Sequence, residues 1–225
     1  CYVVEFFGET AHAVAAPWDG KSALAAGRKF LDLIDARREC FTPDIHVNAV
    51  ILDGGKAPNI IPDYCKIRME FRTASMARLL KVDEMIKKCA DAAAMALDCN
   101  VKLSFGLSDF ADMVRNLPLE EEISTLMEEY GMKVTEVAPP SGSSDVGNVS
   151  YRCPSLQALL SITDKPFALH TRAFRDATLE PEANIAMANG ASSLVALALK
   201  VLNADSFRKT VHDAWQQELK RKQSE

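Results

Sequence analysis

Residues 64–72 alternate between apolar and polar side chains, and this pattern constrains the fold more than any other segment. The apolar positions are Cys65, Ile67, Met69 and Phe71, and each residue between them is charged. Successive side chains of a β-strand point to opposite faces, so the alternation predicts an antiparallel strand with one face on a core and the other in water.

The segments around this strand predict a complete small fold. Apolar alternation predicts further strands, and a helical spacing of apolar residues predicts two helices: the strands are at 2–8, 44–52 and 100–107, and the helices at 19–38 and 76–97. The order β-α-β-β-α-β is typical of a ferredoxin-like α+β domain, in which two helices cover one face of a four-stranded sheet. We therefore predict one domain at residues 1–110.

The second half of the chain, residues 111–225, has a different pattern. It predicts a helix between Pro118 and Gly131, further helices at about 181–202 and 205–222, a short strand at 132–138 and a buried strand at 155–162. Two strands and a few helices make a poor core alone. This half is predicted to be an incomplete portion of a larger α/β domain, with a peripheral tail helix.

Composition excludes several function classes. Lys plus Arg is 26 and Asp plus Glu is 31, so the formal net charge of −5 leaves no electrostatic footprint for nucleic acid or an anionic membrane. Apolar runs are broken by charge well short of the ~20 residues that a membrane span needs. The six cysteines form no C-x-x-C pair, which favours a reduced, cytoplasmic protein. Cys1 opens directly into an apolar strand, so we expect further residues upstream.

The four histidines are the first candidates for chemistry. His12 lies in a loop of small residues, where an accessible functional histidine and a surface histidine capping a turn are both open, the second slightly favoured. His170 follows the predicted buried strand, at the kind of position where ligands collect in α/β proteins. A satisfied core histidine has comparable weight there. His46 and His212 read as solvated side chains on a strand and on the tail helix.

Other polar residues could bind a carboxylate. Residues 141–147 (SGSSDVG) offer hydroxyls and consecutive backbone N–H groups, although an ordinary loop has the same composition. Asn59 lies between two prolines in a predicted turn, and Arg72 ends a predicted strand on its polar face. A guanidinium can bind a carboxylate through two parallel bonds. The plainer alternatives are a turn asparagine and a surface arginine.

Four segments taken in order resemble a known family. They are residues 8–20 (GETAHAVAAPWDG), 53–63 (DGGKAPNIIPD), 141–151 (SGSSDVGNVSY) and 168–171 (ALHT). Together they resemble the zinc-dependent aminoacylase/carboxypeptidase family of amidohydrolases. The subfamily with the p-aminobenzoyl-glutamate hydrolase B subunit and the basic-dipeptide hydrolases is the most similar, over residues 1 to about 203.

The resemblance implies a domain organisation. Family members have a catalytic α/β domain with two zinc ions and a smaller inserted lid domain through which they form a homodimer. Residues 1–110 match that lid, and residues 111–225 match the C-terminal part of the catalytic domain.

The resemblance also implies residue roles. His170 would be the last zinc ligand, and His12 would reach into the partner subunit's site and stabilise the oxyanion of the tetrahedral intermediate. Asn59 and Arg72 would hold the free carboxylate of a small-molecule substrate. The same pocket would be lined by the loop residues Ser141, Gly142, Ser143 and Ser144.

The chain departs from the family pattern in one respect. In the family, the other zinc ligands and a glutamate pair lie upstream of the lid. The resemblance implies that the parent protein hydrolyses amide bonds of small N-acyl amino acids or dipeptides. Because this chain lacks the upstream ligands, we expect it to be inactive alone. The alternative is a non-catalytic ferredoxin-like module for dimerisation or carboxylate binding. An intact metal site using His12, His46 and His170 is disfavoured, because these histidines fall on different elements.

Overall fold

The computed structural model describes residues 1–106, 108–135 and 142–224. The chain divides into an N-terminal unit, Cys1–Asp109, and a C-terminal unit, Phe110–Glu225. This division lies one residue from the predicted boundary at 110.

The N-terminal unit has the predicted ferredoxin-like topology. Its four-stranded sheet is antiparallel throughout, in the order β3-β5-β1-β6, and a separate two-stranded ribbon pairs β2 with β4. The elements are β1 (Tyr2–Phe7), β2 (Ala11–His12), α1 (Ala23–Arg37), β3 (His46–Asp53), β4 (Ile60–Ile61), β5 (Tyr64–Arg72), α2 (Met76–Ala96) and β6 (Asn100–Phe105).

One face of this sheet forms the core with the two helices. The alternation along β5 is confirmed, because all four of its predicted apolar residues are buried. Phe6 of β1 packs against Phe30 of α1, with ring centroids 5.9 Å apart, and Ile86 of α2 is fully buried. Each such side chain stabilises the fold by roughly 1.5–3 kcal/mol through burial. Burial also raises the pKa of the Cys65 thiol, to about 11, and all six cysteines are free.

The C-terminal unit is helical in its described residues. Its elements are α3 (Leu117–Glu129), α4 (Val146–Ser150), α5 (Arg172–Ala177), α6 (Pro181–Asn203) and α7 (Asp205–Gln223). A small apolar core joins three of them, with Leu119 and Ile123 of α3, Leu197 of α6 and Val211 of α7.

Three expectations for this unit are wrong. Residues 155–162 form no strand, and Leu159 within them is 66% exposed. A strand needs a neighbour for its backbone hydrogen bonds, and the described part of this unit contains none. Residues 132–135 are not a strand either, and 136–138 lie outside the described residues. Helix α7 is docked rather than peripheral, since Val211 and Trp215 on its inner face are buried.

Helix α6 also corrects the expectation about membrane spans. By length and composition it could cross a membrane, since no charged residue lies between Glu182 and Lys200. The core helix of a soluble protein can have the same length and hydropathy, so these two quantities do not distinguish a membrane-spanning helix from a core helix. Most of its large apolar side chains are exposed within the C-terminal unit.

Candidate functional site

His12 lies on a loop that extends beyond one end of the sheet of the N-terminal unit and is closed by backbone hydrogen bonds. The loop is closed at its base, where Glu9 and Lys21 exchange two backbone hydrogen bonds of 2.9 Å. The backbone N–H of Gly8 donates to the carbonyl of Asp63 at 2.7 Å. A Cβ on Gly8 would lie 1.9 Å from the Lys21 carbonyl oxygen, so only glycine allows this close approach.

Two backbone N–H groups orient the ring of His12. Those of Val14 and Ala15 donate to His12 Nδ1 at 3.3 and 3.1 Å. A neutral imidazole whose Nδ1 accepts hydrogen bonds carries its proton on Nε2. His12 itself is exposed. The arrangement therefore presents a neutral N–H donor to the solvent side of the loop.

Asn59 lies beside His12. The ribbon pairs His12 with Ile60, and the backbone N–H of Ala13 donates to the Asn59 carbonyl at 3.0 Å. Asn59 is exposed like His12. The structure thus brings together two of the residues singled out from the sequence, at the Phe7 and Tyr64 end of the sheet.

Arg72 lies at the opposite end of the sheet. Strand β5 has nine residues from Tyr64 to Arg72, so eight steps of about 3.4 Å place its two ends roughly 27 Å apart. Arg72 pairs across the strands with His46 and forms an ion pair of 2.7 Å with Glu70. Within one copy, Asn59 and Arg72 are therefore too far apart to hold one small carboxylate together.

The serine-rich loop is described from Gly142 onward, and Ser141 lies outside the described residues. Ser144 accepts hydrogen bonds from two backbone N–H groups of the following helix α4. Val146 donates to the Ser144 hydroxyl oxygen and Gly147 to its carbonyl oxygen, each at 3.3 Å. Gly142 and Ser143 are exposed. The loop remains a candidate for binding a polar ligand.

His170 has a left-handed backbone conformation, with φ of 64°. This conformation is uncommon for a residue other than glycine and is frequent at functional sites. Thr171 secures both sides of it, because its hydroxyl donates to the Ala168 carbonyl at 2.8 Å and accepts from the Phe174 N–H at 3.2 Å. The His170 side chain is exposed.

The described residues do not form a metal site by themselves. Across 1–106, 108–135 and 142–224, no group of three or more His, Cys, Asp or Glu side chains could hold a metal ion. A cocatalytic zinc pair needs several such donors. His170 could contribute one donor, and the zinc predicted for the parent protein does not fit the donor set of the described residues alone.

Two surface features escaped the sequence prediction. Val14 and Trp18, on the same loop as His12, are 82% and 78% exposed. On β3, an edge strand of the sheet, Val50, Ile51 and Leu52 are also exposed. The uncharged run from Val47 to Leu52 could have indicated the exposed apolar surface of β3. Only the sheet order shows that β3 lies at an edge.

Comparison with known proteins gives the family. Residues 1–97 match the M20 peptidase dimerisation domain. A human Xaa-Arg dipeptidase is 30% identical over 203 residues, which are 88% of this chain and 46% of that protein. The chain belongs to the M20 amidohydrolase family. An N-acetyldiaminopimelate deacetylase of Streptococcus pneumoniae is 23% identical over 171 residues, or 74% of this M20 chain and 45% of that protein.

Solved structures share the fold. The aminobenzoyl-glutamate utilization protein from Klebsiella pneumoniae matches with a TM-score of 0.60 at 20% identity, covering 88% of this M20 chain and 47% of that one. A hydantoinase/carbamoylase family amidase from Burkholderia ambifaria matches with a TM-score of 0.54 at 15% identity, covering 88% and 44%. The chain thus spans about half the length of the relatives that it matches.

Proposed function

We propose that this M20 chain supplies the dimerisation lid and the C-terminal catalytic portion of a zinc-dependent hydrolase. The enzyme would be cytoplasmic and would cleave the amide bond of small N-acyl amino acids or dipeptides that carry a free carboxylate. The observation that carries the proposal is His12, whose ring is oriented by the Val14 and Ala15 N–H groups beside Asn59 in a dimerisation domain.

The geometry of His12 suits stabilisation of an oxyanion. Attack of water on an amide carbonyl places negative charge on the carbonyl oxygen, and a pre-oriented N–H donor lowers the energy of that transition state. His12 Nε2–H is such a donor, because both hydrogen bonds at Nδ1 hold the ring and its proton in place. The exposed, projecting loop suits a role in a site on a partner subunit.

The dimer would form at the free edge of β3. This strand pairs only with β5 within the described residues, and Val47 to Leu52 carry no charge. The other edge, β6, carries Lys102, a residue type that discourages edge-to-edge pairing. An antiparallel pairing of two β3 strands would continue the sheet across the two-fold axis and cover the exposed Ile51.

Such a dimer would also give Arg72 a role. Antiparallel pairing places the His46 end of one β3 beside the Asp53 end of the other, and Arg72 is the cross-strand neighbour of His46. The partner's Arg72 would then approach the end of the sheet from which the Asn59 loop extends. We propose that one substrate carboxylate contacts Asn59 of one copy and the partner's Arg72.

The proposal assigns zinc binding to the parent protein. His170 would supply one ligand, and turnover would need donors beyond those that the described residues provide. The chain alone would therefore bind zinc weakly and would not turn over. After zinc is supplied and the excess removed, elemental analysis should find well under one zinc ion per chain. Two tightly held ions per chain would overturn this part of the proposal.

Substitution of His12 tests the catalytic role in an active preparation of the protein. His12→Ala should lower kcat by about 10²–10³-fold, the usual effect of removing an oxyanion donor, without changing the zinc content. Thr10→Ala is the control, because Thr10 is also exposed on the loop that carries His12, and it should leave kcat within about twofold. Unchanged turnover in His12→Ala would contradict the proposed role.

A non-catalytic module is the second candidate, because the exposed His12 and Asn59 side chains could bind a carboxylate without hydrolysis. Such a module would dimerise and bind a small carboxylate without hydrolysing anything. Assays of zinc-loaded longer forms of the protein against a panel of dipeptides and N-acyl amino acids separate the two. Turnover that depends on His12 supports the hydrolase, and carboxylate binding without turnover supports the module.

A further inference from the structure

Helix α7 makes polar contacts that a peripheral tail helix would lack. The Nε1–H of Trp215, a side chain only 8% exposed, donates to the Ser150 carbonyl at 2.7 Å. Four residues earlier, the Val211 carbonyl accepts a hydrogen bond of 2.8 Å from the side chain of Asn116. Both contacts are buried and join α7 to segments about 65 and 95 residues away in sequence. Buried hydrogen bonds of this kind fix the relative position of the segments that share them.

Ser150 passes this restraint on to helix α4. Ser150 is fully buried. Its hydroxyl accepts a hydrogen bond of 2.9 Å from the Val114 N–H and donates one of 2.6 Å to the Gly147 carbonyl. A Cβ on Gly147 would lie 1.8 Å from the Ala111 carbonyl oxygen, so the α4 backbone is already at its closest approach to residues 111–114. The α4 turn cannot shift without breaking these contacts.

A second link lies at the end of α7. Lys222 forms an ion pair with Asp112, and their side chains are only 14% and 13% exposed. The Tyr151 hydroxyl, one residue past α4, donates to the same carboxylate at 3.2 Å. Removal of Lys222 would take its positive charge away from a carboxylate that is only 13% exposed, which is unfavourable. Trp215 and Lys222 thus both restrain the C-terminal end of α4, Trp215 through Ser150 and Lys222 through Asp112 and Tyr151.

The loop proposed to line the substrate pocket is continuous with this turn. Ser144 accepts the N–H groups of Val146 and Gly147, so a displacement of α4 moves the Ser144 hydroxyl with it. We infer that Trp215 and Lys222 are positioning residues that hold the loop at Gly142 to Ser144 in its ligand-binding geometry. This inference rests on the proposed function, in which that loop contacts the substrate.

Hydrogen exchange tests the restraint in the 225-residue chain. Trp215→Phe keeps an aromatic ring but removes the N–H donor, and Gln217→Ala is the control, an exposed residue on the same helix. The N–H groups of Gly147 and Val149 should exchange at least about fivefold faster in Trp215→Phe, with α6 unchanged, because a hydrogen bond of ordinary strength is lost. Equal exchange in the two variants would overturn the inference.

Kinetics in an active preparation separate positioning from general stability. Trp215→Phe and Lys222→Met should each raise KM by about fivefold and leave kcat within about twofold. Lys222→Arg preserves the charge, so its KM should stay close to that of the unsubstituted protein. A fall in kcat with KM unchanged would contradict the inference. Ser144→Ala distinguishes the two levels of the argument. If it raises KM and Trp215→Phe does not, the inference fails and the proposed function stands. If it leaves KM unchanged, the loop role and the inference both fail.

Discussion

The backbone N–H of Ala15 donates a hydrogen bond of 3.1 Å to Nδ1 of His12. We therefore expect the neutral His12 ring to carry its proton on Nε2. Side-chain ¹⁵N spectra of the chain, recorded well above neutral pH, should show a protonated Nε2 for His12. His46, whose ring has no hydrogen bond in the described residues, should show a mixture of tautomers. A His12 ring protonated on Nδ1 would remove the structural basis of the oxyanion role.

The free edge of β3 predicts a self-associating N-terminal unit. Ile51 is 39% exposed at this edge, and a charge there would have to be buried between two copies. Ile51→Lys should therefore shift sedimentation from dimer to monomer, weakening association at least tenfold. Met95→Lys is the control, because Met95 is 78% exposed on α2 and away from β3. Dimers of equal strength in both variants would place the interface elsewhere.

Gly8 lies at the base of the His12 loop, and we expect a single added methyl group there to destabilise the fold strongly. A Cβ at this position would lie 1.9 Å from a backbone oxygen, which cannot move aside as a flexible side chain could. Gly8→Ala should lower the free energy of unfolding by about 3 kcal/mol, measured by urea titration. Gly142→Ala, where a Cβ meets nothing within 4 Å, should change it by less than about 0.5 kcal/mol. Similar effects of the two substitutions would contradict the close approach.

Asp44 predicts an acid-sensitive contact in the N-terminal unit. The Arg78 guanidinium, the Thr42 hydroxyl and the Ala74 N–H hold the pKa of this carboxyl well below its usual range. A carboxyl whose pKa is lower in the folded state stabilises it above the unfolded pKa of about 4, and this contribution is lost as the pH falls further.

The measurement is the pH dependence of unfolding below pH 5 or so, where unfolded carboxyls begin to take up protons. Asp44→Asn should flatten the decline of the unfolding free energy with falling pH. Asp32→Asn is a suitable control, since Asp32 forms only an exposed ion pair with Lys29 and its substitution should leave the slope unchanged. An unaltered slope in Asp44→Asn would show that these contacts do not favour the ionised carboxyl.

The sequence predicted the N-terminal unit well because its signals are local. The alternation at 64–72 reports which face is buried, and it holds in β5. The strand predicted at 155–162 failed because a short apolar run does not show whether a neighbouring strand exists to accept its backbone hydrogen bonds. Helix α7 was misjudged for a related reason, since its polar composition does not reveal that Trp215 reaches Ser150.

For the candidate site too, the sequence indicated some features and only the structure shows others. Loop composition made His12 and Asn59 candidates and the family resemblance implied their roles, but the distance between Asn59 and Arg72 depends on the length and direction of β5.

Sequence by itself determined the β-α-β-β-α-β order, the buried face of β5 and the residue types available for chemistry, because periodicity and side-chain character are properties of neighbouring residues. Only the tertiary structure decided that β3 lies at a free edge, that Nδ1 of His12 is occupied by backbone donors, and that α7 holds the α4 turn. Each of these depends on contacts between groups whose separation in space is not encoded by their separation along the chain.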